Sequence, residues 1–325
     1  MMTMRRRTIL AGLAWLAAPL LAIAQAFPSK PVRIVVPLEP GGAVDIAARR
    51  LAPKLQEALG QPIIVENRGG AAGQIGTQVV AKAAPDGYTI LFTIGGAHVL
   101  SMLAYKNLPY HPVRDFTPIT SVADTLLAIS ARVNFPAGNV REMIDYAKRN
   151  PGKVSYGHTG VGGVTHLAME QIRALSGTEL ISVPFKGGGP LAQNLSGGQI
   201  DMSVQPLAPV MAQVKAGKVK VLGILGKKRF AGLPDVPAVT EHLPEFEMLE
   251  GTGTWAFGPA GMPPAVVARL RDAIASAVHS PEVAKQFEAG GQIPNGGTPA
   301  ALAAQIQSVA ELGARLRKLA GVQPE

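Results

Sequence analysis

Three glycine-bearing turns mark the places where this chain could do chemistry. The first is Leu38-Glu39-Pro40-Gly41-Gly42, with Asp45 just beyond it; the second is His158-Thr159-Gly160-Val161-Gly162, followed by Thr165 and His166; the third is Lys186-Gly187-Gly188. Each separates a short apolar run from a segment with helical apolar spacing, so each reads as a strand-to-helix turn. Glycine lets the backbone approach a ligand closely, and the free N–H groups of a helix start suit an anion. Two such turns from two lobes would clamp a carboxylate; the plainer alternative is that the glycines only tighten turns. Asp45 in the first turn of a helix is favoured by the dipole in any case, and Thr165 serves as readily as a helix cap. Gly96 and His98, after a third strand, and Gln205, at the end of a later one, complete the candidate set.

The same residues argue against catalysis. There is no cysteine, and the chain contains no HExxH, GxSxG, GxGxxG or GxxxxGK[ST] pattern. A hydrolase needs a nucleophile with a base in reach, and none is present at a recognisable spacing. His158 and His166 lie eight residues apart across a glycine turn, a weak hint of a metal site beside the more ordinary reading of packing at a helix start. No catalytic residue, metal or cofactor is therefore expected.

The elements that must position these turns alternate as strand and helix, which argues for parallel-rich α/β sheets. Strands are expected at 32–36, 63–65 and 88–92, with helices at 45–59 and 74–83 between them. A second series follows: strands at 126–130, 154–156, 180–183, 200–204 and 219–225, with helices at 140–149, 165–176 and 190–195. Long helices at 265–279 and 300–319 close the chain, and Trp255 between these regions reads as core or hinge. Two lobes with interleaved segments fit this order, 27–124 plus 248–325 against 125–247. Ligands of open α/β sheets sit outside the carboxyl ends of the strands, where all three turns fall.

Residues 1–26 read as a cleavable signal: Arg5-Arg6-Arg7, an apolar run, then Ala24-Gln25-Ala26. The run is short for a membrane span, and Arg6-Arg7 loosely fits a twin-arginine signal. Export without cysteine leaves neither disulfides nor a lipid attachment point, so stability must come from burial. The charge of +9 includes the three signal arginines. Scattered basic residues and 5% aromatics argue against nucleic acid and leave anionic ligands.

Read together, these pieces resemble the Bug family, the TctC-type extracytoplasmic receptors of tripartite tricarboxylate transporters. The matching segments run in order: 27–37, Pro40-Gly41-Gly42 with Asp45, Gly60-Gln61-Pro62, Val65-Glu66-Asn67-Arg68, 83–88, His166-Leu167-Ala168, 183–188, 197–201, 233–237 and Pro259-Ala260-Gly261. The resemblance implies a two-lobe, type II-like Venus flytrap in which a small carboxylate is pinched between the two lobes. The turn at Pro40-Gly41-Gly42, often acting through ordered water, and the turn from Thr159 to His166 would form the clamp. It further implies a periplasmic monomer that delivers its ligand to membrane subunits; a sensor kinase partner would use the same fold and pocket.

The chain departs from the family pattern at Leu38-Glu39, where Phe-Pro is usual, and at His158, Val161, Gly163 and Val164, where Ser, Asn and Thr are usual. Ligand identity is therefore not carried over. Glu39 would repel a carboxylate unless it turns outward or meets a cationic group, which allows an amino-acid-like ligand.

Overall fold

The computed structural model describes residues 27–185, 187–249, 251–289 and 291–324; the expected signal segment 1–26 and Lys186 lie outside the described residues. The first stretch runs β1 (Val32–Val36), α1 (Ala43–Leu59), β2 (Ile63–Asn67), α2 (Gln74–Ala81), β3 (Thr89–Ile94), α3 (Gly95–Ala104) and β4 (Phe116–Thr125). The second runs β5 (Leu127–Arg132), α4 (Val140–Arg149), β6 (Val154–His158), α5 (Val164–Ser176), β7 (Leu180–Pro184), α6 (Gly188–Ser196), β8 (Met202–Pro206), α7 (Leu207–Lys215) and β9 (Val219–Leu225). The chain then returns through β10 (Thr254–Pro259), α8 (Pro264–Val278), α9 (Pro281–Ala289), β11 (Gln292–Pro294) and α10 (Pro299–Leu319).

The first helix shows how sequence dictates these elements. Val44, Ala47, Ala48, Leu51, Leu55 and Leu59 recur at helical spacing and are buried against the first sheet, while Gly60 at φ 70° ends the helix and donates to Gln56 O. Ile46, which lies off that buried stripe, is 38% exposed. In β1, Ile34, Val35 and Val36 are all buried, as befits a strand covered on both faces.

Two sheets carry the same plan. The first has the order β11-β4-β10-β3-β1-β2 and the second β7-β6-β8-β5-β9. In each, three strands of the βαβ core lie side by side and parallel, then one antiparallel strand, then a fourth strand aligned with the core. The antiparallel strand next to the core is the one that has just crossed over, β5 in the second sheet and β10 in the first, where the short edge strand β11 is antiparallel as well. Each sheet is thus mixed, with parallel direction dominant, and the molecule has the two-lobe α/β form that the strand and helix order implies.

The crossover fixes where ligand loops can meet. Strand β4 runs in the direction of β1 and β3, so it ends at Thr125 on the edge where their carboxyl ends lie. Only Leu126 separates it from β5, and Leu127 pairs with Pro206 at the carboxyl end of β8. The carboxyl edges of both sheets therefore adjoin at this link. The last helix ties the halves again: Leu302, Ile306, Leu312 and Leu316 of α10 share one buried cluster with Trp255, Phe257 and Leu167 of α5.

Candidate functional site

The turn after β1 is built around a buried carboxylate. Asp45, 3% exposed, accepts hydrogen bonds from Gly41 N–H at 2.8 Å and from Arg49 Nε at 2.9 Å. Arg49 Nη2 donates to Asn67 Oδ1 at 2.8 Å, and Asn67 Nδ2 donates to Leu38 O at 3.2 Å, so one chain of contacts pins both ends of the turn. Burial opposes the Asp45 charge, but the hydrogen bonds from Arg49, Gly41 and Asn67 outweigh it and hold its pKa below the ordinary value. Above this brace Glu39, Pro40, Gly41 and Gly42 are exposed and Leu38 is half-buried. Glu39 turns its carboxylate toward the next turn: a Cβ at Gly69 would stand 2.3 Å from Glu39 Oε1.

Within the turn after β6 the bracing groups are neutral. Thr159 N–H donates to Thr165 Oγ1 at 3.1 Å, the two threonine hydroxyls lie 3.0 Å apart, and Gly162 N–H donates to His166 Nδ1 at 3.1 Å. His158 shares hydrogen bonds with Gly160 O at 2.9 Å and Ser182 Oγ at 3.1 Å, and its ring lies 4.4 Å from that of His166. Beneath them Tyr156 OH donates to Glu170 Oε1 at 2.6 Å, and Arg173 pairs with Glu170 Oε2 at 2.5 Å. Burial pushes His158 down to about 4, aided by His166, and also lowers His166. Both imidazoles are neutral at pH 7. Arg317 of α10 closes the turn from the other lobe, its Nη1 lying 3.4 Å from Gly162 O.

Several expected contributors stand elsewhere than their sequence role implied. His158 is fully buried, its ring held between Gly160 O and Ser182 Oγ. Thr165 does not cap α5; Gly163 is the N-cap, without a side-chain bond, and Thr165 braces Thr159 instead. Gly96 gives its N–H to Gly251 O at 2.6 Å, and His98 is buried among Tyr110, Phe116 and Phe257 with Nε2 2.8 Å from Pro112 O. Gly96 and His98 therefore serve the return of the chain and the aromatic core. Val161, by contrast, is 60% exposed at the tip of its turn, with Thr159 and Gly160 half-buried beside it. Gly187 and Gly188 open α6 half-buried, directly over the buried Gln205.

Other contributors escaped the sequence reading. The turn between β2 and α2 holds two consecutive non-glycine residues in left-handed conformation, Ala71 at φ 46° and Ala72 at φ 52°. Such strain persists only where surroundings impose it, and it concentrates at functional turns. Its signal was available as a fourth glycine-rich strand-to-helix segment, Gly69-Gly70-Ala71-Ala72-Gly73. Behind it a cavity of about 50 Å³ lies between Leu38, Ala72, Thr77, Thr93, His98 and Tyr110, room for a water or two but not for a dicarboxylate. Arg317 had no local signal, because only the fold carries it across to Gly162.

A larger groove of about 620 Å³, lined by Thr117, Met262, Val267, Arg271, Thr298 and Ala303, opens at the far end of the first sheet, where β4 begins. Size alone would point there, but it lies at the opposite end from the carboxyl edges. Among the described residues no group of three or more His, Asp or Glu is arranged to hold a metal, and no helix is long and apolar enough to cross a membrane.

Fold and loop placement define a two-lobe solute-binding protein. Residues 47–315 match the model of the tripartite tricarboxylate transporter family receptor, TctC, and the chain belongs to that family. It is 37% identical over 313 residues to a UPF0065 protein from the tcbD-tcbE intergenic region of Pseudomonas sp. strain P51, covering 94% of this chain and 92% of that one. Among solved structures, Rpa4515 of R. palustris with adipate superposes with a TM-score of 0.79 at 29% identity, covering 92% of this chain and 100% of the other. MatC from Rhodopseudomonas palustris with bound malate gives 0.72 at 31% identity, covering 90% and 99%. The family is one of receptors, not enzymes.

Proposed function

We propose that this chain is a periplasmic receptor that captures a small carboxylate between its lobes and delivers it to the membrane subunits of a tripartite transporter. Residues 27–124 with 248–325 form the first lobe and 125–247 the second, and residues 1–26 direct export. The observation that carries the reading is the contrast at two helix starts. Neither N-cap, Gly42 nor Gly163, makes a side-chain bond, but the first turn of α1 already contains a carboxylate, Asp45, whereas the first turn of α5 contains no acidic residue. The α5 turn is thus preformed, without a carboxylate of its own and open to an external anion. The first-lobe turn at Pro40-Gly41-Gly42 closes over the remainder of the ligand, with Glu39 turned aside onto Gly69. Adipate and malate in the two solved relatives are carboxylates of the size such a clamp takes.

Thermal unfolding of the chain from Phe27 onward, stripped of carried ligand by unfolding and refolding, tests this against mono-, di- and tricarboxylates, amino acids and neutral amides. A ligand at a hundred times its dissociation constant adds about 2.7 kcal/mol. A midpoint rise of several degrees with acids is the expected result; silence across all acids, or response only to uncharged compounds, contradicts it. Co-purification of the ligand-loaded receptor with the small and large membrane subunits tests delivery.

A further inference from the structure

Gln205 is fully buried at the carboxyl end of β8, yet its Oε1 meets no hydrogen-bond partner among the described residues. Burying an amide oxygen without a partner costs about 1–3 kcal/mol, and a leucine would fit an apolar site at no such cost. Its other end is fixed, because Nε2 donates to Ser203 Oγ at 2.9 Å. The unpartnered oxygen points at the start of α6: a Cβ placed on Gly188 would stand 3.8 Å from it. Oxygen toward the positive end of a helix is the favoured sense, since the reversed amide would set donor against donor.

The helix is nine residues long, and its N-cap Gly187, at φ 94°, makes no side-chain bond. Gly188 and Gly189 supply N–H groups there, while Pro190 supplies none. Gly187 and Gly188 are half-buried and Gly189 is exposed, so the place opens to solvent on the edge where β6, β7 and β8 end. The register that pairs Gly157 with Ser203 leads on toward Thr159 and Gln205, which sets this place beside the α5 turn.

A group lodged here must donate to Oε1 and accept from the N–H groups at once. A carboxylate accepts but meets the oxygen lone pairs; an ammonium donates but faces the positive end of the helix. A hydroxyl does both and is neutral. We infer that Gln205 Oε1 and the Gly188-Gly189 N–H groups form a subsite for a hydroxyl on the ligand, so that the receptor prefers hydroxy acids over their deoxy and amino counterparts. This rests on the receptor reading above.

Calorimetric titration of the refolded chain from Phe27 onward with matched acids tests it: succinate, malate and aspartate, then glutarate, 2-hydroxyglutarate and glutamate, then propionate, lactate and alanine. In whichever series binds, the hydroxy acid is expected to bind at least about tenfold tighter than the deoxy acid, the discrimination a site gains by pairing a buried polar group. The amino acid is expected to be the weakest of the three. In Gln205→Met, which keeps the volume and removes the acceptor, the hydroxy-to-deoxy ratio should fall to within about twofold. A wild-type ratio near one overturns the inference without any variant and leaves the receptor reading standing, as does an unchanged ratio in a folded Gln205→Met, which assigns the oxygen to a water. Tightest binding of the amino acid also overturns it, in favour of Glu39 as the reader. No binding by any acid, in these series or in the wider panel, removes the receptor reading and this inference together.

Discussion

The two clamp turns occupy equivalent places in two sheets of the same strand plan, yet they are held open by opposite chemistry. The turn before α1 is fastened by an ionised network, Arg49 to Asp45 and through Asn67 to Leu38. The turn before α5 is fastened from within by hydroxyls and neutral imidazoles, Thr165 to Thr159 and His166 to Gly162, with Arg317 of α10 reaching Gly162 O from outside. A helix start that holds its own carboxylate has little attraction left for another; one braced by neutral groups keeps its field for the ligand. Equivalent topology therefore does not mean equivalent function: under the proposed function the second lobe takes the charge and the first supplies closure.

The largest expected effect separates the neutral brace from the ionised one by acidity. His158 and His98 are both pushed by burial to about 4, so the unfolded chain binds protons below pH 6.5 that the folded chain refuses until near pH 4. Stability is full above pH 6.5 and falls through the window 6.5 to 4, by up to about 1.4 kcal/mol per pH unit for each histidine. Asp45, held low, stays ionised throughout that window. Urea unfolding at pH 7 and 4.5 measures the fall, and His158→Gln should remove about half of it, leaving the share of His98; a flat wild-type profile contradicts the buried neutral imidazoles.

Next comes Gly162→Val. A Cβ at Gly162 would stand 2.0 Å from Arg317 Nη1, and its φ of 71° is left-handed, so this substitution displaces the strap from α10 as well as the turn. A loss of about 2–3 kcal/mol in unfolding free energy is expected, with carboxylate binding abolished. Gly42 differs: its φ is −73° and the nearest contact for a Cβ is Glu39 O at 3.5 Å. Gly42→Val should keep the fold and weaken binding by about tenfold through closure alone. Equal stability of the two variants in thermal unfolding would erase the difference between the turns.

Smallest is the effect of Asp45→Asn on binding. Removing the charge leaves Arg49 without its ion-pair partner and should lower stability by about 1–2 kcal/mol, while carboxylate affinity stays within about threefold. A large gain in affinity would mean that Asp45 keeps an anion out of the first lobe.

Much of this was legible in the residues. The alternation of apolar runs and helical spacing located the core strands and helices, because β1 and α1 bury what their period says they bury. The glycine turns fell at the carboxyl edges for the same reason. Strands β4 and β10 were not legible as partners: they pair antiparallel across more than a hundred residues of sequence, and no local pattern encodes that. The burial of His158 was not legible, since a glycine turn beside an imidazole looks like an open site whereas the fold covers this ring completely. Arg317 could not be found at all, since its contact with Gly162 spans 155 residues.

The most direct test of the division of labour is titration of the best-binding acid against Thr165→Val and Gly42→Val in parallel. Thr165→Val leaves the Thr159 N–H without its acceptor and should cost roughly a hundredfold in affinity, against about tenfold for Gly42→Val. Equal losses, or a larger loss from the first-lobe variant, would contradict the assignment of the ligand carboxylate to the α5 turn.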